Sequence, residues 1–577
     1  MRNFTFYNVA NAAIFMQFDW GWTFTGMNFI NCNLGIDMTS LSVGSVTLID
    51  SIFTNTPIGI ATSKSTTSSP PTTNSLMLEN VQFNNVPVAV TGASQSILLA
   101  GTTGSLTVAA FGQGHSYTPQ DTGPNDLEGA FTPFARPGSL VAGTDYYFRS
   151  KPQYGSYPAS SFVSVRSGGA AGNGVTDDTL ILNTILATAA AAGKIVYFDA
   201  GDYLVTSTIK IPPGSKIVGE AYSVILSSGA YFNDINHPAP VVQVGIPGSV
   251  GTIEWSDMIV STQGAQAGAI LIEYNLATTG IPSGIWYVRF SLRIWYILRE
   301  PSSGDMGLKL VLTPSSMSLE LGSSRNNTKS QANTSNRDVH TRIGGFKGSD
   351  LQVGNCPKTT AKITTVPAQC IAAFMSMHVT TTATGLYMEN VWLWTADHDV
   401  DDATLTQISI FSGRGLLIES DFGAIWMYGT AVEHHSLYQY QLVNTGNIFM
   451  GQIQTETPYY QPNPSTISPF HHNVAYSDPP VVPGSSAWGL RIVSSTDVLV
   501  YGAGLYSFFS NYNVNCSQIG QGATCQDVIF DIENSIVQVF NLNTVGTTMM
   551  IQQDGTAFAP YSDNNDGFID TIALHQT

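Results

Sequence analysis

The sequence predicts an all-β protein wound as a parallel β-helix. Three observations predict it: a repeat of coil length, a surface solvated by Ser, Thr, Asn and Gly rather than by charge, and no 3.6-residue apolar periodicity. Four N-terminal segments share one pattern of Phe, then Asn two residues later, then a small residue before a β-branched one. They are Phe6/Asn8/Ile14, Phe29/Asn31/Ile36, Phe53/Asn55/Ile60 and Phe83/Asn85/Val90. The Phe positions recur after 23, 24 and 30 residues, and the longest interval holds the insert TSKSTTSSPPTTN. One coil of a β-helix takes roughly two dozen residues, with equivalent residues of successive coils about 4.8 Å apart. Phe and Ile then stack inside, and Asn at a corner forms a hydrogen-bonded ladder. A leucine-rich-repeat frame is absent.

Composition agrees. The 577 residues exceed one ordinary core, so several units or a repeat are expected. Only 11% are charged, and 40 acidic against 22 basic residues give a net charge of −18. That balance disfavours nucleic acid and anionic membranes, which call for clustered Lys and Arg, and permits a neutral polysaccharide. Aromatic residues, 11% of the chain, supply flat faces for sugar rings. No apolar run is long enough to span a membrane.

Along the chain, residues 1–110 read as coils of a first β-helix, and 111–160, rich in Gly and Pro, as a linker. Residues 161–577 read as a second β-helix, opened by a short helix from about Asp178 to Ala192 that covers the end of the stack. Thr176 or Asp177 is the expected N-cap. Of the five cysteines, Cys356 with Cys370 and Cys516 with Cys525 form two close pairs, suggesting local disulfides and an oxidising compartment, while Cys32 reads as a buried thiol. Sequons at Asn3, Asn326, Asn333 and Asn515 fit secretion. The first residues lack the build of a signal peptide, so the natural N-terminus is expected upstream of Met1.

The blocks GNGVTDDT and IVYFDAGDYLVTSTI resemble the opening of pectate-lyase-like β-helices. FRSKPQY, DWGWTFTGMNFINCNLGIDM and above all GTAVEHHSLYQYQ and GQIQTETPYYQPNP resemble glycoside hydrolase family 55, the β-1,3-glucanases. The resemblance implies tandem right-handed parallel β-helices with the active site between them. It also implies that the chain enters the first β-helix near its final coils. Such a stack, started partway, is expected to self-associate, whereas the full-length protein is expected to be a monomer. The implied activity is inverting, exo-acting hydrolysis of β-1,3-glucan, without metal or cofactor.

Glycoside hydrolysis needs a carboxylic acid at the leaving oxygen. Glu433 and Glu456 lie among aromatics and amides, 23 residues apart, one coil interval. Stacked on neighbouring coils, they would sit roughly 5 Å apart at the backbone, so one must titrate high. By resemblance Glu456 is the proton donor and Glu433 a second active-site acid. Spacing that close ordinarily indicates retention, whereas the family inverts, so Glu433 reads as a pKa-raising or substrate-binding partner. Trp394, Tyr459, Tyr460 and Gln454 are the candidate sugar-binding residues. Trp20 and Trp22 read mainly as packing in the wall between the helices. His434-His435 and His471-His472 are not expected to bind metal, since neighbours on a strand point apart. Asp177-Asp178 reads as helix capping, and SDNNDGFID as a turn rather than a calcium loop. A pectin-active enzyme and a non-catalytic carbohydrate-binding β-helix are the competing readings.

Overall fold

Successive Phe–x–Asn segments lie side by side in parallel register, Phe6 on Phe29, Phe29 on Phe53 and Phe53 on Phe83. The computed structural model describes residues 1–64, 73–119, 123–286, 339–360, 363, 365–480, 482–520 and 522–577. The sequons at Asn326 and Asn333 and the middle of the TSKSTTSSPPTTN insert lie outside these residues. The four Phe rings form one stack with centroids 5.4, 4.4 and 5.0 Å apart. At the neighbouring corner Asn8, Asn31, Asn55 and Asn85 all take a left-handed backbone, φ +52° to +57°, which Asn tolerates better than most residues. The amides of Asn31, Asn55 and Asn85 each donate to the Asn of the preceding coil at 2.9–3.1 Å. The small residue after the corner leaves room for the rings: a Cβ on Gly35 would lie 2.3 Å from the Phe53 ring.

The second β-helix has three parallel ladders. One starts at Phe162–Ser164 and runs through Ile195–Phe198 and Lys216–Gly219 to Ile425–Tyr428 and beyond. A second starts at Asn173–Asp177 and includes Trp392–Thr395 and Ala431–Glu433. A third contains Ile209–Ile211, Ala239–Val244, Ile371–Val379 and Phe411–Ile418. The helix Thr179–Ala191 lays Leu182, Ile185, Leu186 and Ala189 on the end of the core. It begins one residue later than expected, because the paired aspartates divide their work. Asp177 accepts from the Thr179 amide at 3.0 Å, whereas Asp178 turns back to accept from the amides of Ala171 and Gly172.

Residues 111–160 are not the free linker that their composition suggests. The strand Ile97–Tyr117 runs past residue 110, antiparallel to Ser75–Thr91, and carries Asn125–Ala130 on its far end. Its last residues pair with Leu574 and His575 of the strand Ile569–Gln576, which lies on Val537–Val545, so backbone hydrogen bonds join the two β-helices. Between them Phe134, Leu140 and Tyr146 are buried against Ile49 and Met77 on one side and Trp426, Phe449 and Tyr501 on the other. Arg136 pairs with Asp50 and Glu79, both at 2.6 Å. Cys356–Cys370 and Cys516–Cys525 are disulfides, and Cys32 is a buried thiol.

Candidate active site

In the second ladder, alternate residues face inward and outward. Leu393, Val432, Thr455 and Leu505 fill the core. The residues between them form outward columns, one of which reads Arg342, Trp394, Glu433, Glu456 and Tyr506 on consecutive coils. Glu433 and Glu456 are therefore direct neighbours, as their spacing predicts. The column continues to Val545, and Tyr506 packs on Trp20 of the first β-helix at 5.1 Å.

The two carboxyls are held differently. Glu433 is 6% exposed, and both its oxygens accept hydrogen bonds at 3.0 Å, from Trp392 Nε1 and Gln454 Nε2. Burial, followed by the charge of Glu456, pushes its pKa up to about 8. The Glu456 side chain is 18% exposed. Tyr459 Oη donates to its Oε2 at 3.0 Å, and His434 Nε2 approaches the same oxygen at 3.3 Å. Oε1 takes no hydrogen bond from the described residues and is the oxygen left for a ligand.

His434 follows Glu433 in a left-handed conformation, φ +67°, costly for a non-Gly residue and often found at functional sites. Nδ1 donates to the Thr395 carbonyl at 2.9 Å, with the Asp397 carboxylate 3.9 Å away. Burial alone would lower the imidazolium, but the Glu456 hydrogen bond and the charges of Asp397, Glu456 and Glu433 outweigh it and raise the pKa to about 9. Asp397 accepts from His398 at 3.0 Å; burial would raise its carboxyl, yet the two imidazoles hold it below its ordinary value. His435 points the other way, onto Gln439 and Ser376, and burial lowers its pKa to about 3. Neither sequence spacing nor the His-His pair reveals this link to Glu456.

Of the expected sugar-binding residues, only Tyr459 combines partial exposure with contact to Glu456. Trp394 is a correction: it is 2% exposed, roofed by Trp392, His398 and the Arg342 guanidinium at 5.3–5.4 Å, so it offers no open platform. Tyr460 is also buried, its ring on Phe411 and its hydroxyl on Ser436, where it packs rather than binds. Gln454 orients Glu433. Trp22 stacks on Phe24 inside the first β-helix, while Trp20 packs across the junction on Tyr506, Phe508 and Phe568. His472 binds the Asp478 carbonyl, and His471 is exposed. Asn565 and Asp570 bond to each other in the turn of SDNNDGFID. A cavity of about 10 Å³ lined by His434, Asp397, Tyr459 and Tyr512 is too small for a sugar ring. Among the described residues no group of three or more His, Cys, Asp or Glu is placed to hold a metal.

Two stacked carboxyls on one face of a β-helix, one partly exposed and one buried, suit the paired-acid chemistry of a glycoside hydrolase. Residues 162–237 match the family described as rhamnogalacturonase A/epimerase, pectate lyase-like. The chain is 40% identical to a glucan 1,3-beta-glucosidase of Cochliobolus carbonum over 99% of its own length and 67% of that protein. It is 34% identical to a probable glucan endo-1,3-beta-glucosidase of Arthroderma benhamiae over 100% of its length and 71% of that protein. Set against the solved structure of sacteLam55A from Streptomyces sp. SirexAA-E, it is 13% identical with a TM-score of 0.42, covering 99% of this chain and 80% of that one. The chain belongs to glycoside hydrolase family 55.

The two raised groups fix the sign of a pH effect. Glu433 titrates at about 8 in the fold against 4.5 ordinarily, and His434 at about 9 against 6.5. Both hold protons more tightly when folded, so their contribution to stability is complete below the ordinary values and is lost as pH rises through the folded ones. Glu433→Gln keeps the shape and cannot ionise. Its melting temperature is expected to fall less than that of the wild type between pH 4.5 and about 8. Parallel melting curves across that window would refute the assignment.

Proposed function

We propose that this protein hydrolyses β-1,3-glucan from chain ends with inversion, Glu456 serving as the general acid. The observation that carries the reading is the division of labour between the stacked acids. Glu456 keeps one oxygen without a hydrogen bond from the described residues, while both oxygens of Glu433 are engaged and burial keeps its proton on past neutral pH. A sequestered neutral acid is neither nucleophile nor base, which favours inversion despite the short spacing. The names of the two fungal relatives supply the substrate class, and the higher identity to the glucosidase favours action at chain ends. Two disulfides and the exposed sequons at Asn3 and Asn515 support secretion.

Laminarin and polygalacturonate decide the substrate. Release of glucose from laminarin, appearing first as the α-anomer by proton NMR, is expected. Oligosaccharides as first products would overturn end-directed action, and β-glucose as first product would overturn inversion. Pectin cleavage, or glucan binding without sugar release, would sink the reading altogether.

A further inference from the structure

We propose that His434 is a positioning residue for the acid: held by Thr395 and Asp397, it fixes one oxygen of Glu456 and balances the charge left when the proton departs from the other. The inference rests on Glu456 being the general acid. His434 Nε2 and Tyr459 Oη converge on Oε2, which leaves Oε1 without a hydrogen bond from the described residues. The imidazole cannot swing freely. Its Nδ1 is tied to the Thr395 carbonyl, its ring lies edge-on to Tyr459 at 4.8 Å, and its backbone is held in the left-handed region.

In the reaction, the O–H bond of Glu456 breaks as an O–H bond forms on the glycosidic oxygen. The electrons of the breaking C–O bond go to that oxygen. Water closes the anomeric carbon from the opposite face and gives its proton to solvent. The His434 protons stay on nitrogen throughout. What changes is the charge beside them, since Glu456 becomes a carboxylate next to a fixed cation, and such preorganised charge acts mainly on the transition state. Without that cation, the new anion would arise uncompensated in a low-dielectric site.

The charged and titratable groups facing His434 come from every neighbouring element. Glu433 and Glu456 belong to its own coil and the next, Asp397 and His398 to the turn after Trp392–Thr395, and Tyr459 to the segment beyond Glu456. Tyr512 shares the small cavity, and His435 is the adjacent residue. Asp397, itself bonded to His398, thus faces the imidazole from behind, much as an outer carboxylate faces a metal-bound histidine.

The test uses His434→Gln and Asp397→Asn in the whole chain, with pH profiles of kcat on laminarin and on an aryl β-glucoside whose leaving group needs no proton. In His434→Gln, kcat on laminarin is expected to fall at least about tenfold with KM little changed. The alkaline limb should move to higher pH, because the acid loses a neighbouring cation. Turnover of the aryl substrate should fall far less. Asp397→Asn should lower kcat on laminarin more than on the aryl substrate, by a smaller factor than His434→Gln, and this split decides the matter should His434→Gln not melt cooperatively. An unmoved limb in folded His434→Gln, or equal losses on both substrates in either folded variant, overturns the inference. A wild type inert towards laminarin, or a fully active Glu456→Gln, instead defeats the functional reading beneath it.

Discussion

Glu456→Gln is expected to lower kcat on laminarin by roughly 10²–10⁴-fold, the span ordinarily lost with a general acid. The amide keeps the size of the carboxyl and still offers an oxygen to Tyr459 and His434, so KM and the melting temperature should stay close to wild type. An aryl β-glucoside with a good leaving group should retain much more of its turnover, because that step asks little of an acid. Near-wild-type hydrolysis of laminarin would remove Glu456 from the role. A loss confined to KM would make it a binding residue only.

The second large effect is on stability. Arg414 and Asp478 form an ion pair with both side chains at 0% exposure, Arg414 Nε meeting Oδ1 at 2.7 Å and the second nitrogen meeting Oδ2. The guanidinium also lies 4.0 Å over the Phe374 ring, and the Asn473 amide donates to Asp478 at 2.8 Å. Asp478→Ala leaves a cation with no counter-charge in the core, a loss of about 3–5 kcal/mol. Asp478 sits on the excursion that leaves the coil after Glu456 and returns at Trp488–Val493, so loosening it should also free Tyr459 and depress kcat. Denaturant midpoints measure the first effect. Arg414→Met combined with Asp478→Leu should recover most of the stability, since a buried pair of apolar residues carries no desolvation penalty. A single-variant loss below about 1 kcal/mol would show that the pair is dispensable.

Some of this was legible in the sequence and some was not, for definable reasons. The Phe stack and Asn ladder could be read because the coils of residues 6–90 are short and nearly equal, so spacing alone gives register. Glu433 and Glu456 could be aligned for the same reason. Trp394 was misjudged because alternation tells which side a residue faces, not what covers that side. Its roof includes Arg342, 52 positions earlier in the chain, and His398, from a turn. The seam was missed because Pro and Gly mark residues 131–149 as loop, and nothing local shows that Phe134 and Tyr146 will find partners on two separate solenoids. His434 was weighed only as a metal ligand, together with His435, and the pair does point apart. The left-handed backbone at that residue brings the ring to Glu456.

The lengths of the turns around the paired acids carry a consequence for how such a groove can be reshaped. From Trp394 to Glu433 the chain takes 39 residues, from Glu433 to Glu456 only 23, and from Glu456 to Tyr506 it takes 50. Insertions and deletions are thus accommodated on either flank, where extra chain bulges outward without disturbing the stacking. The interval between the acids has no such slack. Grafting longer or shorter segments onto the flanking excursions would remodel the rim, and with it the choice of ligand, while the chemistry at the floor stays constant.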